Sequence, residues 1–187
     1  LAAPAFADIW HIEDGDITVK ASWTEGKNTV SQGNKKDVED TNTIITNRDK
    51  NTASSHTVTI EAGNDKVEVT LKDVNIKADS GSALTSKGDV TLTLKGDNHL
   101  TGGISDNGNY GLSGISSSGS LSISGGTVTA TAGSSSGSYG RDGITTSSSL
   151  TISGGTVTAN GGSGSYRGGS GISSSDIELS GSLELTA

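Results

Sequence analysis

The phrase LSISGGTVTAT at Leu121–Thr131 returns as LTISGGTVTAN at Leu150–Asn160, 29 residues later. Self-similarity at a period of roughly 20–50 residues marks a solenoid or another stacked-repeat fold, in which each unit buries its apolar face against its neighbours. Two columns of apolar residues extend the repeat. The first is Leu84, Ile115, Ile144 and Ile172, in steps of 31, 29 and 28. The second is Val90, Leu121, Leu150 and Ile177, in steps of 31, 29 and 27. Both drift together, as stacked coils with loops of variable length do. Upstream, TLK at Thr70 recurs at Thr93, a step of 23, which predicts a coil lacking the loop insertion.

Alternating β-branched segments run through the chain, among them DITVKA (16–21), HTVTIEA (56–62) and VTLTLKG (90–96). They are broken by Gly, Asn and Asp, and no helical apolar period is present. Each coil therefore reads as three short strands: one around Ile144, then Leu150–Ile152, then Thr156–Ala159. Leu150, Ile152, Val157 and Ala159 point inward, and Thr151, Thr156 and Thr158 outward. Gly154 and Gly155 form the corner, where glycine tolerates positive φ. Apolar residues are only 29% of the chain, with 28 Gly and one Pro. A globular core is undersupplied by that composition, but a solenoid needs only four or five inward side chains per coil. The expected fold is an all-β parallel solenoid with coils of about 23–31 residues and Gly/Ser-rich insertions.

LAAPAFA at the start carries Ala5 and Ala7 before Asp8, the small-x-small pattern of a signal-peptidase site. Residues 1–7 are thus expected to be the end of a signal peptide and 8–187 a single domain, secreted or at the cell surface. Within it, 8–66 is expected to form an N-terminal cap with the first strands, and 67–187 the stacked coils. The polar stretch 24–55 is expected to be a lateral loop or part of that cap. Stopping at LELTA predicts an unpaired strand edge, with further coils or domains of the same chain beyond it. A formal charge of −8 disfavours nucleic acid and anionic membrane surfaces as partners. The absence of Cys excludes disulfides and thiolate metal sites, and no apolar run reaches the ~18 residues of a membrane-spanning helix.

WHIEDGDITV (10–19), VTLKDVNI (69–76), VTLTLKGDNHLTGG (90–103) and the two ISGGTVTA segments together resemble bacterial exported carbohydrate-binding domain proteins. Their fold is a right-handed parallel β-helix similar to that of pectate lyases, and the resemblance covers nearly all of residues 8–187. It implies binding of extracellular polysaccharide, with an acidic glycan and calcium as candidate ligand and cofactor.

All three tyrosines, Tyr110, Tyr139 and Tyr166, lie 5, 5 and 6 residues before the first-column isoleucines. Stacked coils would line them up as an aromatic ladder, and flat rings with a hydroxyl at the rim suit the C–H face of a sugar. The competing reading is that the rings pack on one another and order the insertions. Arg141 and Arg167 stand beside two of them and suit an acidic sugar. Candidate calcium ligands are Asp73, Asp79, Asp97, Asn98 and Asp106, since calcium takes six to eight oxygens; the competing reading is solvated turn residues. Lys72 and Lys95 would stack as like charges unless Asp73 and Asp97 intervene.

Enzymatic motifs mostly dissolve on inspection. GSSSG (133–137) matches a nucleophile elbow in letters alone, without the strand-to-helix turn or its acid and His partners. His11, His56 and His99 lack metal-ligand spacing. The outward Thr127, Thr129, Thr156 and Thr158 resemble a small ice-binding lattice, but GDNHL before it and Glu184 after it interrupt the array. The expectation is a non-enzymatic polysaccharide-binding solenoid. The competing classes are a structural stalk or adhesin repeat and a polysaccharide lyase fragment.

Overall fold

A computed structural model describes residues 8–187; the segment 1–7, read as the end of a signal peptide, lies outside the described residues. The chain begins with β1 (Ile9–His11), a 3-10 turn at Ile12–Asp14 and β2 (Ile17–Ala21). There follow β3 (Asn28–Gln32), β4 (Lys35–Asp40), β5 (Ile44–Thr46), β6 (Val58–Lys72) and β7 (Asn75–Lys77). The remaining strands are β8 (Leu84–Thr101), β9 (Ile115–Ser117), β10 (Leu121–Thr131), β11 (Ile144–Thr146), β12 (Ser149–Asn160), β13 (Ile172–Ser173) and β14 (Asp176–Thr186). They wind into a parallel β-solenoid of about five turns.

Both expected columns exist and are in register. On the first face Ile17, Val58, Leu84, Ile115, Ile144 and Ile172 lie one above another. On the second face Val67, Val90, Leu121, Leu150 and Ile177 do the same, beside Val69, Leu92, Ile123, Ile152 and Leu179. The third face stacks Ile76, Leu100, Ala130 and Ala159. Apart from Ile172, Ile177 and Leu179 in the last coil, all of these are buried. Thr151, Thr156 and Thr158 face outward, as the alternation requires.

Three details refine the expectation. The second and third strands of a coil are one ladder: β12 continues to pair through the corner, where Gly154 and Gly155 take φ of +102° and +82°. A Cβ on Gly155 would collide with the Gly125 carbonyl one coil away, so this position needs glycine for space as well as for φ. Regular stacking also starts before residue 67, because Val58 in β6 already sits on Ile17 and under Leu84. Finally, the first face changes chemistry along the stack. Its second inward position is Val19, then Ile60, then the buried hydroxyls of Ser86, Ser117 and Thr146. Ser117 Oγ donates to the Gly119 carbonyl at 3.1 Å and Thr146 Oγ1 to Ser174 Oγ at 2.7 Å, so these serine tracts are interior parts of the coil.

The stretch 24–55 supplies an antiparallel arm and a coil strand. β3 pairs antiparallel with β2 and β4 with β3, extending the first face sideways, while β5 rejoins the second face between β1 and β6. Trp10 on β1 is buried, donates its indole N–H to Asp40 Oδ2 at 2.9 Å and lies beneath the Lys35 ammonium, 5.1 Å from the ring centroid. Arg48 straps the N-terminal turn with paired bonds to Asp14 of 2.6 and 2.7 Å. At the other end β14 pairs only with β12, leaving its outer edge without a partner among the described residues. No helix among the described residues is long and apolar enough to cross a membrane.

Ile123→Ala, between Leu92 and Ile152, is expected to lower unfolding free energy by about 2–5 kcal/mol in urea titration. The Arg48 hydrogen bonds hold Asp14 below its ordinary carboxyl value of 3.8. A lowered folded-state value gives a contribution fully present above 3.8 and lost as pH falls through the lowered value. The urea midpoint of Arg48→Ala should therefore fall short of the unmodified chain at neutral pH and converge with it in strong acid.

Candidate functional site

The insertions before the first face are ordered by backbone bonds from one loop to the next. Gly102 N–H donates to the Thr131 carbonyl, Gly133 N–H to Leu112 and Gly162 N–H to Arg141, at 2.7–2.9 Å. Glycine makes this closeness possible: a Cβ on Gly133 would strike the Gly103 carbonyl. Within one insertion, Ser105 N–H donates to the Tyr110 carbonyl at 2.8 Å while Tyr110 N–H donates to Ser105 Oγ at 3.0 Å. Asp142 Oδ1 accepts from Ser170 N–H at 2.7 Å, tying two loops together. The tyrosines thus stand on a stitched layer.

Tyr139 and Tyr166 are exposed, at 49% and 80% of their surface, whereas Tyr110 is half-buried. Two of the three rungs of the expected ladder pack on one another, as the competing reading has it. Tyr139 and Tyr166 meet edge to face, with centroids 5.7 Å apart and planes at 70°. The cause is a one-residue slip: the first-face step here is 28 residues and the tyrosine step 27, so the backbone bridge places Arg167 opposite Tyr139. Ser138 fixes the slip by accepting from both Tyr166 N–H at 2.9 Å and Arg167 N–H at 3.0 Å. Tyr110 is paired differently, with the Arg141 guanidinium 5.2 Å from its ring centroid.

Arg141 and Arg167 are both exposed, and among the described residues neither has a carboxylate within 4.0 Å. Two uncompensated guanidiniums beside two open rings make a cationic aromatic edge on an acidic protein. Such an edge suits a ligand with carboxylate or sulfate groups and apolar C–H faces.

The candidate calcium ligands are not gathered into one cluster among the described residues. Asn98 is fully buried; its Oδ1 accepts from Val74 N–H at 2.9 Å, and its amide donates to the carbonyls of Lys95 and Thr127. It closes the corner of three successive coils, with its amide engaged by backbone on each side. Asp73 Oδ1 accepts from Asp97 N–H at 3.1 Å, and Asp97 Oδ2 contacts His99 Nε2 at 3.0 Å. Asp79 and Asp106 are exposed on the insertion loops, away from that corner in the coil. No group of three or more His, Asp or Glu side chains among the described residues is placed to hold a metal ion.

Lys72 and Lys95 are stacked as expected, but Asp73 and Asp97 turn to backbone and His99 instead of intervening. His56 contacts Asp16 at 3.4 Å, and His11 is half-buried. Ser135 of GSSSG donates to the Asn109 carbonyl at 3.2 Å and is one of the loop stitches. The threonine array is in register, Thr127 with Thr156 and Thr129 with Thr158; the second column continues to Thr186, and Asp97, His99 and Glu184 bound the rest. Sequence reasoning passed over Trp23, which stands fully exposed between β2 and β3; the available signal was an aromatic residue set among Ser, Thr and Glu.

Compared with protein-family models, with curated proteins and with solved structures, the chain matches none. The fold expected from the resemblance is present as a β-solenoid, and the binding activity it implies rests on the chemistry of the surface alone.

Asn98→Ala would leave the Val74 N–H without its acceptor and is expected to cost about 1–3 kcal/mol in urea titration. Millimolar calcium should leave the midpoints of both the unmodified chain and the variant unchanged. A calcium-dependent rise in the unmodified chain that Asn98→Ala abolishes would restore the ligand role.

Proposed function

We propose that this protein binds an acidic polysaccharide outside the cell or at its surface, along the tyrosine and arginine edge of the solenoid, without turning it over. The observation that carries this reading is the exposed Tyr139–Tyr166 pair beside the uncompensated Arg141 and Arg167. Aromatic rings cover the apolar faces of successive sugars while guanidiniums take their anionic groups. Elsewhere the chain carries net negative charge, so a polyanion is steered toward the one edge where two arginines project. Loops fixed by intercoil backbone bonds hold the rings in place before ligand arrives, which reduces the ordering cost of binding.

The test is calorimetric titration of the chain with polygalacturonate, alginate and neutral dextran, each with calcium and with chelator. The acidic polymers should bind, more weakly as salt is raised, and dextran should not bind at this edge. Tyr166→Ala and Arg167→Ala should each weaken binding about tenfold, equivalent to ~1.4 kcal/mol, with unchanged urea midpoints because both side chains are exposed. Absence of binding to any acidic polymer would sink this reading and leave the stalk. Appearance of an unsaturated sugar product in the ultraviolet would favour the lyase.

A further inference from the structure

Trp23 is fully exposed on a turn that is held firmly. Ser22 N–H donates to the Lys27 carbonyl and Lys27 N–H to the Thr24 carbonyl, at 3.0 and 3.1 Å. Glu39 on β4 clamps the turn: Oε1 accepts from Ser22 Oγ at 2.7 Å and from Thr24 Oγ1 at 2.8 Å. The two hydroxyls hold the Glu39 carboxyl below its ordinary value of 4.5, so the clamp is charged at neutral pH. An indole kept in water by a fixed turn offers what an aliphatic side chain does not, a negative π face that attracts a cation.

Beside Trp23 lies an open groove of about 1030 Å³. One wall is the β2–β3 turn, and the other is a corner in β6. Residues 62–65 stand between Glu61 and Lys66 there, where Gly88 alone stands between their partners Lys87 and Asp89 in β8. The longer corner puts Gly63, Asn64 and Asp65 in solvent. A second hollow of about 480 Å³ runs over Lys20, Thr29, Asp37 and Glu39 on the antiparallel arm, and Trp23 borders both. The indole is therefore a partition between two concave surfaces.

Charge decides the ligand class. The lysines of the larger groove already have acidic partners: Lys20 with Glu61 at 3.4 Å, Lys27 with Glu39 at 3.9 Å and Lys66 with Asp89 at 3.7 Å. Glu25, Asp65 and Glu68 line the same groove, and among the described residues none of them has a cation within 4.0 Å. Asp37 in the smaller hollow has none either. Uncompensated carboxylates thus flank the indole on both sides, in a protein whose net charge of −8 draws cations toward it.

Asn28 adds an acceptor. It lines the groove with only 7% of its surface exposed, its amide nitrogen donates to Thr43 Oγ1 and to the Glu68 carbonyl, both at 2.9 Å, and no described residue donates to its Oδ1. Acceptors without donors and a π face without a cation call for one complement, a positively charged hydrogen-bond donor. A guanidinium meets every part of this, since its plane stacks on the ring while its N–H groups reach carboxylates. One small cation would fill one hollow alone. The carboxylates lie in two open hollows with Trp23 between them, a span that suits an extended chain carrying several cations.

We infer that the Trp23 groove docks an arginine-bearing segment of a partner polypeptide, in extended form and independently of the tyrosine edge. One arginine stacks on the indole, and cations to either side of it pair with Glu25, Asp65 and Glu68 and with Asp37. Exposed ion pairs are individually weak, so the contact is transient and sensitive to salt.

Trp23 is also the reporter, because the chain has two tryptophans and the other, Trp10, is buried and bonded to Asp40. The full chain is titrated with an end-blocked peptide of repeated Arg-Gly, with the same peptide carrying citrulline for arginine, and with spermine, following tryptophan emission and heat. The arginine peptide should change emission saturably and bind more weakly as salt is raised. Its citrulline counterpart, neutral and of the same shape, should not bind. Trp23→Ala should weaken arginine-peptide binding about fivefold. Glu25→Gln, Asp65→Asn and Glu68→Gln combined should weaken it about tenfold, and both variants should keep the urea midpoint because these side chains are exposed. Glu178→Gln with Glu184→Gln removes two charges from the last coil and should leave the affinity unchanged. Tyr166→Ala should also leave it unchanged, so failure at the tyrosine edge is distinguishable from failure here. No saturable change with the arginine peptide, full affinity in Trp23→Ala, an equal loss in the last-coil variant, or spermine binding as tightly as the peptide would each overturn the inference.

Discussion

Parallel backbone pairing between successive coils is the constraint on which everything else depends. Each coil is fixed at one strand spacing from the next, about 4.8 Å, so a residue of one type recurring in register becomes a continuous stripe. Inward stripes give a core narrow enough for a chain with few apolar residues, as in Leu92, Ile123 and Ile152. Outward stripes give surfaces with a repeat, such as the paired threonines. The same ladder dictates where side chains cannot go: Gly155 is held between positive φ and the Gly125 carbonyl, and Gly133 against Gly103.

Insertions relax this constraint without breaking it. The loops before the first face differ in length, yet Gly102, Gly133 and Gly162 each donate a backbone bond to a neighbouring loop or strand, so the layer continues outside the core. A length difference of one residue is then enough to change a surface. It sets Tyr139 and Tyr166 edge to face with Arg167 opposite Tyr139. At the other end of the molecule, extra residues in the β6 corner and the antiparallel arm open the groove beside Trp23. At the tyrosine edge function is proposed where the solenoid departs from strict repetition.

Polar residues follow the same logic of position over identity. Asn98 looks like a calcium ligand among its acidic neighbours, but its inward position makes it a closure for three coils' backbone groups. In the serine tracts one hydroxyl of a coil is interior, Ser117 bonded to its own corner and Thr146 to the next coil. Asp40, in a stretch without clear periodicity, receives the Trp10 indole N–H at the N-terminal end of the core. Most buried polar groups are satisfied, Ser86 Oγ being an exception, and here the ladder decides which ones are buried.

The repeated phrase and its two apolar columns determined the solenoid, the register, the inward residues and the glycine corner, because period-two alternation and coil-to-coil stacking are local rules written directly in residue order. They also determined that the tyrosines and arginines share one edge. Only the tertiary structure decided how those rings meet, that Asn98 faces inward, and that the stretch 24–55 folds back as an antiparallel arm on β2. The arm joins Trp23 to a corner 40 residues further along the chain, and Ser22 and Thr24 to Glu39. Contacts of that kind depend on side-chain direction and on pairing across insertions of unequal length, neither of which a one-dimensional pattern of apolar and polar residues specifies.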